Sequence, residues 1–93
     1  MQGLFDKIKD KISLGQNAEA LALIEEELPV HDADKRARLL YLRGSLYMKM
    51  GDWQQAMSSF MQSESLDGNG PGAEARKMLK DILDFYNKDL YNP

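Results

Sequence analysis

The segment from Leu40 to Leu66 reads LYLRGSLYMKMGDWQQAMSSFMQSESL: an apolar helical pattern, a glycine, then an amphipathic helical pattern. No other feature constrains the fold as much. On both sides of Gly51 apolar residues recur at three- and four-residue steps, the periodicity of helices packed by one face. Gly44 and Ala56 are small residues placed where two antiparallel helix backbones have to meet. Bulkier side chains there would wedge the helices apart. Leu40, Tyr47, Trp53 and Phe60 are expected to fill the space around that contact. A hairpin of this kind describes an interaction surface rather than a reaction centre.

The same periodicity extends to five helices and leaves no strand, so the fold class is all-α. Leu4, Phe5, Ile8 and Ile12 mark a first helix that Gly15 ends. Asn17 is expected to cap the second, whose apolar face is Ala20, Leu21, Ile24 and Leu28 and which Pro29 closes. After a loop from Val30 to Asp34, whose aspartates offer caps, a third helix runs from about Asp34 to Met50. Its apolar residues fall on three sides: Leu39, Leu42 and Leu46; Leu40, Gly44 and Tyr47; Tyr41 and Met48. A helix apolar on most of its circumference is buried between neighbours, which makes this one central. Asp52 caps the fourth helix, with Gln55 placed for a capping-box-like pair, and Trp53, Ala56, Met57 and Phe60 form its stripe. The run Asp67-Gly68-Asn69-Gly70-Pro71 stops that helix and restarts another, with Pro71 suited to a first helical position. The fifth helix carries Ala75, Met78, Leu79, Ile82, Leu83 and Tyr86, and the residues from Lys88 to Pro93 are expected to fray or fold back.

A chain of 93 residues is the length of one domain. Its 43% hydrophobic and 29% charged residues suit a globular protein. The absence of cysteine excludes disulfides and cysteine metal sites. A net charge of −3 with interleaved signs lacks the basic stripe that nucleic-acid binding needs. The opening MQGLFDKIKDKISLGQ alternates lysine with aspartate and does not read as a signal peptide. No apolar run approaches the ~18 residues of a membrane span. The expectation is a soluble, cytoplasmic protein.

Superimposing Gly15 on Gly51 aligns Ala20 with Ala56 and Ile24 with Phe60, so the first two helix pairs read as one motif written twice. The offset is close to the ~34-residue period of the tetratricopeptide repeat (TPR), which the second pair resembles best. Leu40 stands where that family often has tryptophan; Gly44, Tyr47, Ala56 and Phe60 match its glycine, tyrosine, alanine and phenylalanine. The first pair departs from the pattern, with Ile8 at the glycine position and Lys11 at the tyrosine, and Gly68 replaces the closing proline of the second. The ending ILDFYNKDLYNP is similar to the tails of short bacterial members of the family. The resemblance implies a right-handed helical-hairpin solenoid: a degenerate repeat over 1–31, a well-matched one over 34–68, a capping helix over 71–88 and a tail over 89–93. It also places Glu27 and Arg43 at the junction between units. An ion pair across that junction is one reading; an Arg43 stem laid on apolar surface with its guanidinium in water is the other.

No catalytic constellation emerges, and the expectation is a protein that is not an enzyme and carries no cofactor or metal. His31, the one histidine, sits in a turn beside Asp32 and Asp34 and reads as solvated. Glu25-Glu26-Glu27 diverge by 100° per residue and cannot converge on one cation. Asp67-Gly68-Asn69-Gly70 lacks calcium-loop spacing. Trp53 reads as core, and most methionines as gap-fillers, Met48 excepted.

The TPR resemblance implies a concave groove lined by Phe5, Lys9 and Ile12 of the first helix, Arg38, Tyr41, Ser45 and Met48 of the third, and Leu79 and Ile82 of the fifth. Phe5, Ile12, Tyr41 and Met48 would form an apolar strip edged by Lys9 and Arg38. Small soluble proteins rarely leave such a strip unused. Phe5, Lys9 and Leu42 occupy positions where some relatives carry the lysine and asparagine that clamp a peptide carboxylate. The expected function is non-catalytic binding of a peptide or helix from another protein, with no nucleic acid and no membrane as partner. The alternative is a homodimer that self-associates through the same surface; a third arrangement lays the Leu90-Tyr91 tail in the chain's own groove.

Overall fold

A computed structural model describes the backbone of residues 3–91 and the side chains of residues 3–86. Among them are five helices and no strand: α1 (Leu4–Ser13), α2 (Asn17–Glu27), α3 (Ala33–Lys49), α4 (Trp53–Leu66) and α5 (Pro71–Tyr91), with a 3₁₀ turn over Leu28–Val30. Among the described residues no helix is long and apolar enough to cross a membrane.

The turns after α1 and α3 are built alike. Gly15 and Gly51 adopt φ of 77° and 79°, left-handed values that suit glycine. Leu14, Gly15 and Gln16 donate backbone N–H bonds to Asp10, Ile12 and Lys11; Met50, Gly51 and Asp52 donate to Leu46, Met48 and Tyr47 in the same pattern. The bonds from Gln16 to Lys11 and from Asp52 to Tyr47, each spanning five residues, close Schellman-type turns and satisfy carbonyls the helix ends would otherwise leave bare. The helix starts beyond these turns are capped differently. Asp52 caps α4 by accepting from the Gln55 N–H at 3.1 Å, and Asp32 caps α3 by accepting from Lys35 at 3.0 Å. The cap expected from Asn17 is not made: Gln16 holds the cap position of α2, and Asn17 lies inside the helix with its Oδ1 buried and unpartnered.

α3 is central, as its apolar circumference requires. Leu39, Leu42 and Leu46 join Ile8, Ala20 and Ile24 in one core. A second core of Ala56, Phe60, Ala75 and Leu79 lies between α4 and α5, and the Tyr41 ring packs against both. Gly44 is buried beneath Phe60: a Cβ there would sit 2.5 Å from Phe60 Cδ1. The glycine therefore makes room for the Phe60 ring, and Ala56 on the same helix as that ring is itself fully buried. Nearer the end of the hairpin, the buried Ser63 hydroxyl donates to the Ala37 carbonyl at 2.7 Å. Gly72, in the first turn of α5, lies so close that a Cβ would overlap the Ser63 side chain. Arg76 grips Glu64 through two hydrogen bonds, Nε–Oε1 at 2.5 Å and Nη2–Oε2 at 3.1 Å, fixing α5 to the end of α4.

Several expectations are corrected. Arg43 does not pair with Glu27; its Nη1 lies 3.2 Å from Glu25 Oε1. Glu27, as α2 tightens into the 3₁₀ turn, faces His31 at 3.5 Å, and the His31 Nε2 is buried rather than solvated. The Arg43 guanidinium is mostly covered and Glu25 half exposed, so solvent screens the pair. A double-mutant cycle in denaturant melts is expected to give about 0.5–1 kcal/mol of coupling for Glu25→Ala with Arg43→Ala, and none for Glu27→Ala with Arg43→Ala. Coupling to Glu27 alone would overturn the assignment. The α5 backbone stays helical to Tyr91 instead of fraying from Lys88. The Leu90 and Tyr91 side chains and residues 92–93, on which the tail-in-groove arrangement depends, lie outside the described residues.

Candidate functional site

Four of the residues expected in a groove meet. Phe5 and Lys9 from α1 and Arg38 and Tyr41 from α3 line a cavity of about 150 Å³ with Leu42 and Pro71. The Arg38 guanidinium carbon stands 3.9 Å from the centre of the Phe5 ring, a cation–π contact that keeps both side chains at the rim. Beyond Tyr41 and Pro71 the surface continues into a second depression of about 210 Å³ with Glu74, Ala75 and Met78. α1, α3 and the start of α5 thus share one channelled face. Each depression alone is smaller than the roughly 300 Å³ of a small-molecule site and suits one side chain of a bound chain.

The remaining expected residues divide. Ile12 and Met48 are half-buried, packed against the first and second cores. Ser45 spends its hydroxyl hydrogen on the Tyr41 carbonyl of its own helix at 3.0 Å. Leu79 is fully buried in the second core and offers nothing to a ligand. Ile82 opens instead onto a cleft with Trp53, Leu83 and Tyr86.

Sequence reasoning missed this cleft and a neighbouring open surface that shares Trp53 and Leu83 with it. Trp53, expected in the core, is 44% exposed. Together with Met57, Met61 and Leu83 it lines an open depression of about 670 Å³ along α4 beside α5, with Gln54, Ser58, Gln62 and Ser65 around it. Met61 and Met78 are exposed, not core gap-fillers. The available signal was the spacing of Trp53, Met57 and Met61, a second apolar edge on α4 beside the Ala56–Phe60 edge. Among the described residues, no three histidine or acidic side chains are grouped to hold a metal ion.

No family model matches the chain, and no curated protein matches it. A solved structure does. The solution NMR structure of Bacteroides fragilis protein BF1650 aligns with a TM-score of 0.85 at 40% sequence identity, covering 99% of this chain and 91% of that one.

Proposed function

We propose that this chain, which belongs to the same family as Bacteroides fragilis protein BF1650, is a non-catalytic protein-interaction module of TPR type. It comprises about two helical-hairpin repeats in a right-handed solenoid and α5 as the cap. The repeat reading is supported by the matched Gly15 and Gly51 turns, whose three closing hydrogen bonds recur at the offset that relates Ala20 to Ala56. The observation that carries the function is the Phe5–Arg38 stack beside Tyr41, an apolar platform left open with Lys9 at its edge. It suits a segment of a partner protein with one apolar anchor over Tyr41 and an acidic side chain near Lys9 and Arg38.

Panning a display library of short peptides against the full chain tests this. Selected peptides are expected to combine an aromatic or aliphatic residue with a neighbouring carboxylate. Their affinity is expected to fall at least about tenfold on Tyr41→Ala and to weaken as salt rises. Peptides that bind the Tyr41→Ala chain as well as the parent would overturn the groove assignment.

A further inference from the structure

We propose that the α1–α2 hairpin is an arm that opens from the α3–α4–α5 body as one unit, and that the Phe5–Tyr41 groove exists only while the arm is docked. The body is held by close approach of its helices. Phe60 lies on Gly44, Gly72 lies on Ser63, the Ser63 hydroxyl reaches the Ala37 carbonyl, and Arg76 clasps Glu64. The arm is held by less. Its two helices bury only Ile8, Ala20 and Ile24 in full, and one of these is an alanine.

The seam beneath the arm also carries a polar cost. Among the described residues, four buried side-chain polar atoms make no hydrogen bond. Three of them follow this seam: Asn17 Oδ1 on α2, His31 Nε2 in the turn and Arg43 Nε on α3; the fourth, Ser59 Oγ, lies on α4. Asn17 shares the packed face of α2, since Ala20 and Ile24 follow it at three and seven residues. A buried polar atom without a partner regains on opening the hydration it lost on docking. Three cations of α3 reach across the seam: Lys49 Nζ donates to the Ile12 carbonyl at 2.7 Å, Arg43 Nη1 lies 3.2 Å from Glu25 Oε1, and Arg38 stacks on Phe5. The Lys49 bond lies at the surface and Glu25 is half exposed, so solvent competes for both.

The chain crosses the seam once, between α2 and α3. After the 3₁₀ turn, His31 and Asp32 are both extended, with ψ of 160° and 176°. Rotation at these two residues re-aims the arm without breaking an intrahelical hydrogen bond, which is how a hinge at the end of an element works. The groove straddles the seam: Phe5 and Lys9 belong to the arm, and Arg38, Tyr41, Leu42 and Pro71 to the body. A ligand that touches both sides binds the docked arm alone and shifts the molecule towards it. That role rests on the groove reading; the opening itself does not.

Native-state hydrogen exchange of the full chain, without ligand, tests the opening. The slowest amides of α1 and α2 are expected to share one protection factor, at least about a hundredfold below that of the slowest α4 amides. Leu79→Val removes one carbon from the second core; it is expected to lower α4 protection about fivefold and to leave α1 and α2 unchanged. In a chain that unfolds only as a whole, arm and body would fall together. Equal protection in arm and body overturns the proposal, as does a loss in α1 and α2 that matches the loss in α4 on Leu79→Val. So does α1 exchanging far faster than α2, which would make the opening a fraying of one helix. No peptide enters this experiment, so a failed panning counts against the groove alone.

Discussion

Gly44→Leu is expected to remove most of the stability of the fold. The first carbon of any side chain at position 44 lands 2.5 Å from Phe60 Cδ1 and 2.9 Å from Cζ. The ring cannot swing out into solvent, being 1% exposed and packed beside Tyr41 at a centroid distance of 6.0 Å. Inserting a methyl into a packed core costs about 1–3 kcal/mol, partly offset here by the roughly 1 kcal/mol that alanine gains over glycine inside a helix. A leucine adds three further carbons to the same collision, and a loss of at least about 4 kcal/mol is expected. A domain of this size has about 5–14 kcal/mol in total. Thermal melts should therefore show Tm lowered by about 20 °C or more, or no cooperative transition. Phe60→Ala in the Gly44→Leu background should restore part of the loss, because the two side chains compete for one space. A Tm within a few degrees of the parent would mean that α3 and α4 do not meet at this point.

Gly72→Ala is expected to lower stability by about 2–3 kcal/mol, a large effect for one methyl near a helix start. That methyl overlaps the buried Ser63 side chain and approaches the Phe60 carbonyl to 3.5 Å. Ser63 cannot move aside cheaply, since its hydroxyl finds its acceptor in the Ala37 carbonyl inside the core. Displacing it breaks that bond and leaves a buried hydroxyl without its acceptor, at about 1–3 kcal/mol, besides the steric cost. The helix-propensity gain is small in a first turn, where backbone N–H groups have no intrahelical partner. Tm should fall by about 10–20 °C, and Ser63→Gly in the same chain should recover the steric part only. An unchanged Tm would show that α5 does not press on α4 through this serine.

The turns and helix types are legible in the sequence because each is set locally. A glycine that must adopt positive φ after a helix, and an aspartate three residues before a free N–H, act within one turn of chain. Gly15, Gly51, Asp32 and Asp52 are placed accordingly. Phe5, Lys9, Arg38 and Tyr41 line one cavity because three- and four-residue steps put each pair on one side of its helix. Features that depend on which neighbour a helix face meets are not legible in the same way. α4 has two apolar edges of similar spacing, and the bulkier one, with Trp53, reads as core. The face that packs is the one with the small residues Ala56, Ser59 and Ser63 around Phe60, because close helix approach selects size before hydrophobicity. Gly72 is hidden in a glycine-rich turn, where its packing role has no periodic signature. Glu25 and Glu27 differ by 200° on a helix wheel, so the choice of partner for Arg43 rests on how α2 ends, in a 3₁₀ turn that propensity does not signal.

The groove is tested most directly by NMR shift mapping of the full chain against a peptide obtained by panning, at concentrations where the oligomeric state does not change. Perturbations are expected to centre on Phe5, Lys9, Arg38 and Tyr41 and to extend towards Pro71 and Met78, with Trp53 and Met61 unmoved. A map centred on Trp53, Met61 and Leu83 with the Phe5–Tyr41 platform silent would contradict it.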